Sequence, residues 1–158
     1  MRIMRRRVVG GLLGVGSALL PGTTLLSRAA DATRVAGPGC DNPADTPAQT
    51  AGPFFTPDAP RRKRLDGADG DGQTLELAGQ IVSGDCRPIA GARLDVWHCD
   101  ASGRYDNEGF RLRGHVLTPE DGSFRLETIK PGAYGGRFFS RTPHIHVRIT
   151  PATGAPLT

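Results

Sequence analysis

Glycine and proline make up 35 of the 158 residues, and they recur between short apolar-alternating runs. Neither residue is tolerated inside a long helix, where glycine costs about 1 kcal/mol and proline about 3 kcal/mol relative to alanine. A helical bundle or coiled coil is therefore excluded, and the chain must be built from short elements joined by turns. Four segments carry the period-two pattern of a half-buried strand. Leu75, Leu77, Gly79 and Ile81 alternate with polar or small neighbours, as do Leu94, Val96 and His98, then Phe124 and Leu126, and finally Ile145, Val147 and Ile149. Turn signals separate them at Ser83-Gly84-Asp85, Ala101-Ser102-Gly103, Glu120-Asp121-Gly122 and Pro131-Gly132. This spacing predicts an all-β fold, an antiparallel β-sandwich of immunoglobulin or prealbumin type over residues 73–158.

The segment 33–72 reads differently. Six prolines, the basic run Arg61-Arg62-Lys63-Arg64 and a Gly/Asp-rich stretch predict an irregular, extended arm, with the basic run as a solvated loop. Residues 1–32 read as an export signal. Arg2, Arg5, Arg6 and Arg7 precede the 13-residue apolar and small stretch Val8–Leu20, and Ala30-Asp31-Ala32 offers a cleavage site. The arginine run is compatible with the twin-arginine route; a Sec signal or an uncleaved anchor also fits. This leader holds five arginines against one aspartate, which accounts for the whole formal charge of +4. The remainder is neutral, so the basic balance gives no support for a nucleic-acid partner. No apolar run reaches the roughly 18 residues of a membrane span. Export, to periplasm or exterior, places Cys40, Cys86 and Cys99 in an oxidising setting. Three is odd, so at least one thiol is left over; Cys40 with Cys86 is the expected pair, and Cys99 beside a strand reads as a small buried hydrophobe.

The chemistry sits in Pro143-His144-Ile145-His146-Val147. Residues two apart on a strand share a face, so His144 and His146 can reach one metal ion while Ile145 and Val147 turn to the core. The only two tyrosines, Tyr105 and Tyr134, both lie in glycine-flanked turns. Phenolate oxygens suit a hard ferric ion, with imidazoles completing the set. His98 shares a face with Leu94 and Val96 and reads as a hydrogen-bonded core histidine. His115, after Arg113-Gly114, reads as a loop or strand-edge residue, and Trp97 as packing.

Taken in order, Pro88-Ile89-Ala90-Gly91-Ala92, Asp95-Val96-Trp97-His98-Cys99-Asp100-Ala101, Gly103-Arg104-Tyr105, Asp121-Gly122-Ser123-Phe124, Lys130-Pro131-Gly132-Ala133-Tyr134 and Pro143-His144-Ile145-His146 resemble the intradiol ring-cleavage dioxygenases. The resemblance runs from about Thr46 to Ile149 and departs from the family pattern at Ala51 and Phe55. It implies a non-haem ferric enzyme that opens a catechol-type ring with O2 to a muconate-type diacid. Tyr105, Tyr134, His144 and His146 match the metal ligands, Tyr134 being the one displaced by substrate, and Arg141 matches an arginine that stabilises charge on the bound diol. The partner implied is a small aromatic diol, and a homodimer is compatible with it. It further implies a strand beyond Thr158 carrying a glutamine near the metal. Two other readings stay open on the residues alone: a noncatalytic transthyretin-like binding module, and a copper or zinc protein using His144 and His146.

Overall fold

The computed structural model describes residues 2–5, 46–65, 72–136 and 139–158. The apolar stretch and cleavage site of the expected signal, together with Cys40, lie outside the described residues. All regular elements among those described are strands: β1 (Arg2–Arg5), β2 (Thr74–Val82), β3 (Arg93–Trp97), β4 (Arg113–Leu117), β5 (Ser123–Ile129), β6 (Tyr134–Gly136), β7 (Phe139–Arg141) and β8 (His146–Thr150). No helix among them is long and apolar enough to cross a membrane. One antiparallel sheet has the order β1-β2-β5, a second β4-β3-β8, and β6 pairs with β7 as a separate ribbon.

The alternation in the sequence explains how the sheets face one another. Ile81, Phe124 and Leu126 from the first sheet meet Leu94, Val96, Val116 and Ile149 from the second in one apolar core, with Ala92 and Leu65. At about 25 cal/mol per Å² of apolar surface removed from water, such interdigitated side chains are the main force holding the sheets together. Gly79 lies opposite Phe124 across β2 and β5, with no side chain of its own to compete for the space. His98 is 1% exposed and closes one end of this core. Its Nδ1 lies 2.7 Å from the Cys99 carbonyl and its Nε2 2.7 Å from Thr128 Oγ1. The carbonyl can only accept, so Nδ1 donates and Nε2 accepts from the hydroxyl. Both ring nitrogens are thereby engaged, as expected for a core histidine.

The arm is not a free extension. Arg62 N donates to His115 O and His115 N to Pro60 O, pairing the arm with the edge of β4. Two residues on, Glu127 N donates to Lys63 O and Leu65 N to Glu127 O, pairing it with the edge of β5. Leu65 then enters the core. The basic run therefore corrects the solvated-loop expectation in part: Arg61, Lys63 and Arg64 are exposed, but their backbone ties the two sheets together. His115 likewise lies inside β4, its Nδ1 2.7 Å from the Ala59 carbonyl. Because the arm covers its outer side, residues 112–114 and 116 are all buried, and β4, like β3, lacks the alternating burial of β5. Cys86 is disulfide-bonded, whereas Cys99 is a free, buried thiol.

Candidate active site

Two aspartates build the loop that carries Tyr105. Asp100 Oδ1 accepts from Ser102 N at 2.9 Å, Ser102 Oγ at 2.7 Å and Arg104 N at 2.9 Å, and Oδ2 accepts from Arg111 Nη2 at 2.7 Å. Asp106 accepts from the amides of Glu108, Gly109 and Arg111. Such short side-chain-to-backbone bonds are why Asp recurs in turns. Tyr105 is held between them. Burial alone would raise the Asp100 pKa, but the donors of Arg104 and Ser102 prevail and hold it at about 2. The unfolded value being near 3.8, the stabilisation of roughly 2 kcal/mol is present above that pH and is lost as pH falls through about 2. Asp100→Asn is expected to lower the melting temperature at pH 7 and to flatten the acid limb of a stability-versus-pH curve; an unchanged acid limb would refute this role.

The loop carrying Tyr134 is sewn to the same place. Gly132 N donates to Asp100 O at 2.9 Å, and Cys99 Sγ lies 3.4 Å from Gly132 O. A Cβ on Gly103 would come within 2.2 Å of Ala133 O, so the two tyrosine-bearing loops touch backbone to backbone. The Tyr105 and Tyr134 rings meet edge to face at 5.2 Å between centroids. His146 opens β8, and His144 precedes it; their rings are 4.8 Å apart. Tyr134 to His144 measures 5.4 Å and Tyr105 to His146 6.5 Å. All four side chains expected to act together thus form one cluster, drawn from three separate stretches of chain. Arg141 faces Tyr134 in register across the β6–β7 ribbon, which puts both on the same side of it.

The polar atoms of this cluster are conspicuously unpaired. Tyr105 Oη and His144 Nε2 are buried without a hydrogen-bond partner. His144 Nδ1 lies 2.6 Å from the Thr142 carbonyl, which fixes the proton there and leaves the Nε2 lone pair free. Burial, with help from His144, Arg141 and Arg113, holds the His146 pKa down at about 4, so this imidazole is neutral at pH 7. Burial and the neighbouring Tyr134 push the Tyr105 phenol far above its usual range. A buried phenol and a free imidazole lone pair, each lacking a partner, are suited to a shared cation, which would reverse the penalty on the phenolate.

Three neighbours were not legible as site residues. Trp97 lies opposite His146 across β3 and β8 and stacks on its ring at 4.9 Å, only 4° from parallel. Phe54 of the arm stacks on Tyr105 at 4.1 Å and meets Tyr134 edge-on at 6.0 Å. Arg113, 1% exposed, lies 6.0 Å from the Tyr105 ring centre. Packing was the reading for Trp97; its register makes it the wall behind His146.

The family model described as Dioxygenase matches residues 50–153. Over 126 residues the chain is 31% identical to a catechol 1,2-dioxygenase of Acinetobacter baylyi, covering 64% of this chain but 40% of that protein. Among solved structures, the dioxygenase domain of a dioxygenase–carbohydrate-binding fusion from Streptomyces sp. SirexAA-E superposes with a TM-score of 0.65 at 43% identity, covering 71% of this chain and 70% of that one. An intradiol ring-cleavage dioxygenase from Tetranychus urticae gives 0.55 at 35% identity, over 62% and 54%. The chain therefore spans less than half of the curated relative and most of the Streptomyces domain. With its strands, its order of motifs and these similarities in agreement, the chain belongs to the intradiol ring-cleavage dioxygenase family.

Proposed function

We propose that the chain is an exported, Fe(III)-dependent intradiol dioxygenase that cleaves a catechol-type ring with O2 to a muconate-type diacid. The observation carrying this reading is the pair of buried, unpartnered donors, Tyr105 Oη and His144 Nε2, within one cluster that also holds Tyr134 and His146. Two phenols and two imidazoles form a hard, mixed oxygen and nitrogen donor set that fits ferric iron. Tyr105, Tyr134, His144 and His146 would hold it. When bound, the ferric ion supplies Lewis acidity and a template for both oxygens of the diol.

The chain's own residues do the rest. His144 is kept in one tautomer by the Thr142 carbonyl, and His146 is kept in plane by Trp97. Tyr134, on the short ribbon, would hold a proton from the diol on its phenol oxygen. Arg141, across the ribbon from Tyr134, offers a permanent cation to the deprotonated diol. Phe54 and Trp97 exclude water on two sides of the cluster, which strengthens these electrostatic contacts. Export is supported by the basic and apolar leader and by the disulfide at Cys86. Cleavage near Ala32 would take β1 with it and leave β2 paired to β5 alone.

Reconstituting the full chain with ferric iron is expected to give a coloured protein through phenolate-to-iron charge transfer, and zinc a colourless one. Oxygen uptake should follow on addition of members of a catechol panel. An iron-loaded protein without visible absorption would overturn the ligand assignment, and a coloured protein inert across the panel would overturn the activity.

A further inference from the structure

Among the described residues Arg113 is the largest fully buried side chain, and it is a cation. Among the described residues it forms no ion pair with a carboxylate. Asp106 approaches it with its backbone carbonyl, the carboxylate being turned to the amides of Glu108, Gly109 and Arg111. Every hydrogen bond of the guanidinium is to a main-chain oxygen. Nε donates to Asp106 O at 3.0 Å, Nη2 to the same oxygen at 2.6 Å, and Nη1 to Phe54 O. The Asp106 carboxylate attracts it from a distance, without a direct contact, and burying a charge with no contacting counter-charge is costly. The two oxygens it grips give this buried cation a structural task. One belongs to the residue after Tyr105 and the other to Phe54, whose ring lies flat on Tyr105. The guanidinium carbon itself lies 6.0 Å from the centre of the Tyr105 ring.

We infer that Arg113 is a positioning residue for Tyr105: it clamps the arm to the loop after strand β3 so that the Phe54–Tyr105 stack has one geometry and the Tyr105 hydroxyl points into the cluster. A planar fork reaches both carbonyls from separate nitrogens, whereas the three donors of a lysine ammonium radiate from one atom and cannot reproduce that spread. The inference rests on the proposed role of Tyr105 in holding iron, but the clamp itself exists without metal. That separates the two experimentally.

The test uses the full chain, first metal-free, with ¹³C-labelled tyrosine; two tyrosines give two sets of ring signals. In Arg113→Met the Tyr105 signals are expected to move and its ring to flip at least tenfold faster, with a smaller response at Tyr134. Arg113→Lys should restore part of the difference, and it serves alone if the Met variant does not fold. Unchanged Tyr105 signals in a folded variant overturn the inference. With iron bound, the charge-transfer band should shift and kcat fall about tenfold with little change in KM. The loss should shrink in a Phe54→Ala background, because both act through one stack. Full additivity of the two substitutions also overturns it. A metal-free response without any iron-dependent band in the wild type would instead sink the iron reading and leave the clamp standing.

Discussion

Replacing His146 with alanine is expected to abolish visible absorption in the iron-treated protein and to lower oxygen uptake roughly a thousandfold or more, about 4 kcal/mol in barrier. The reason lies in its place on β8. His146 faces away from the apolar core, on the side where Trp97 stacks against it, while Val147 packs against the core. Its loss therefore removes one of the proposed metal donors without opening a cavity between the sheets, and the melting temperature should hold within a few degrees. Tyr105→Phe should have the same effect on colour, with the fold again preserved, because the oxygen it deletes makes no well-formed hydrogen bond to the protein. Absorbance, an oxygen electrode and a melting curve on the same preparation decide the matter. Turnover retained in either variant would remove that residue from the donor set.

Gly103→Ala is the second large effect, and it acts through the backbone. At φ +84 an L side chain is strained, and the added Cβ would lie 2.2 Å from Ala133 O. Neither atom belongs to a flexible side chain, so the Tyr105 and Tyr134 loops must part. Overpacking and the left-handed conformation together cost about 3 kcal/mol, which corresponds to a drop of roughly 6–12 °C in melting temperature. Colour should be lost with it. Gly91→Ala provides the control: φ is +67 there, but nothing lies within 4 Å of the added carbon. Only the conformational cost of about 1 kcal/mol remains, and the iron chemistry should be untouched. Equal effects from the two substitutions would show that contact between the tyrosine loops is unimportant.

How much of this could be read beforehand depends on where each residue's partners come from. β2, β3, β5 and β8 announced themselves because one face of each is apolar and the intervening turns carry glycine or proline. β4 did not: with the arm along its edge both faces are covered, so Arg113, Gly114 and His115 showed no period. His144 and His146 were legible because their relationship is local, two residues apart. Tyr105 and Tyr134 were legible through their glycine-rich settings and the family resemblance. Trp97 behind His146 depends on strand register, which a single strand does not reveal. Phe54 and Arg113 depend on a chain crossing of more than fifty residues, and an arginine in a polar stretch gives no sign that it will be buried.

The seam formed by residues 60–65 has a bearing on resistance to proteolysis. Four consecutive basic residues are an obvious target for trypsin-like proteases, whose clefts require several residues of unpaired, extended chain. Here Arg62 and His115, and Lys63, Leu65 and Glu127, already use those backbone groups among themselves, and Leu65 is anchored beneath. Cutting at that point would require both sheet edges to be peeled open first, so the tetrad's vulnerability is set by the opening of the whole sandwich rather than by its own composition.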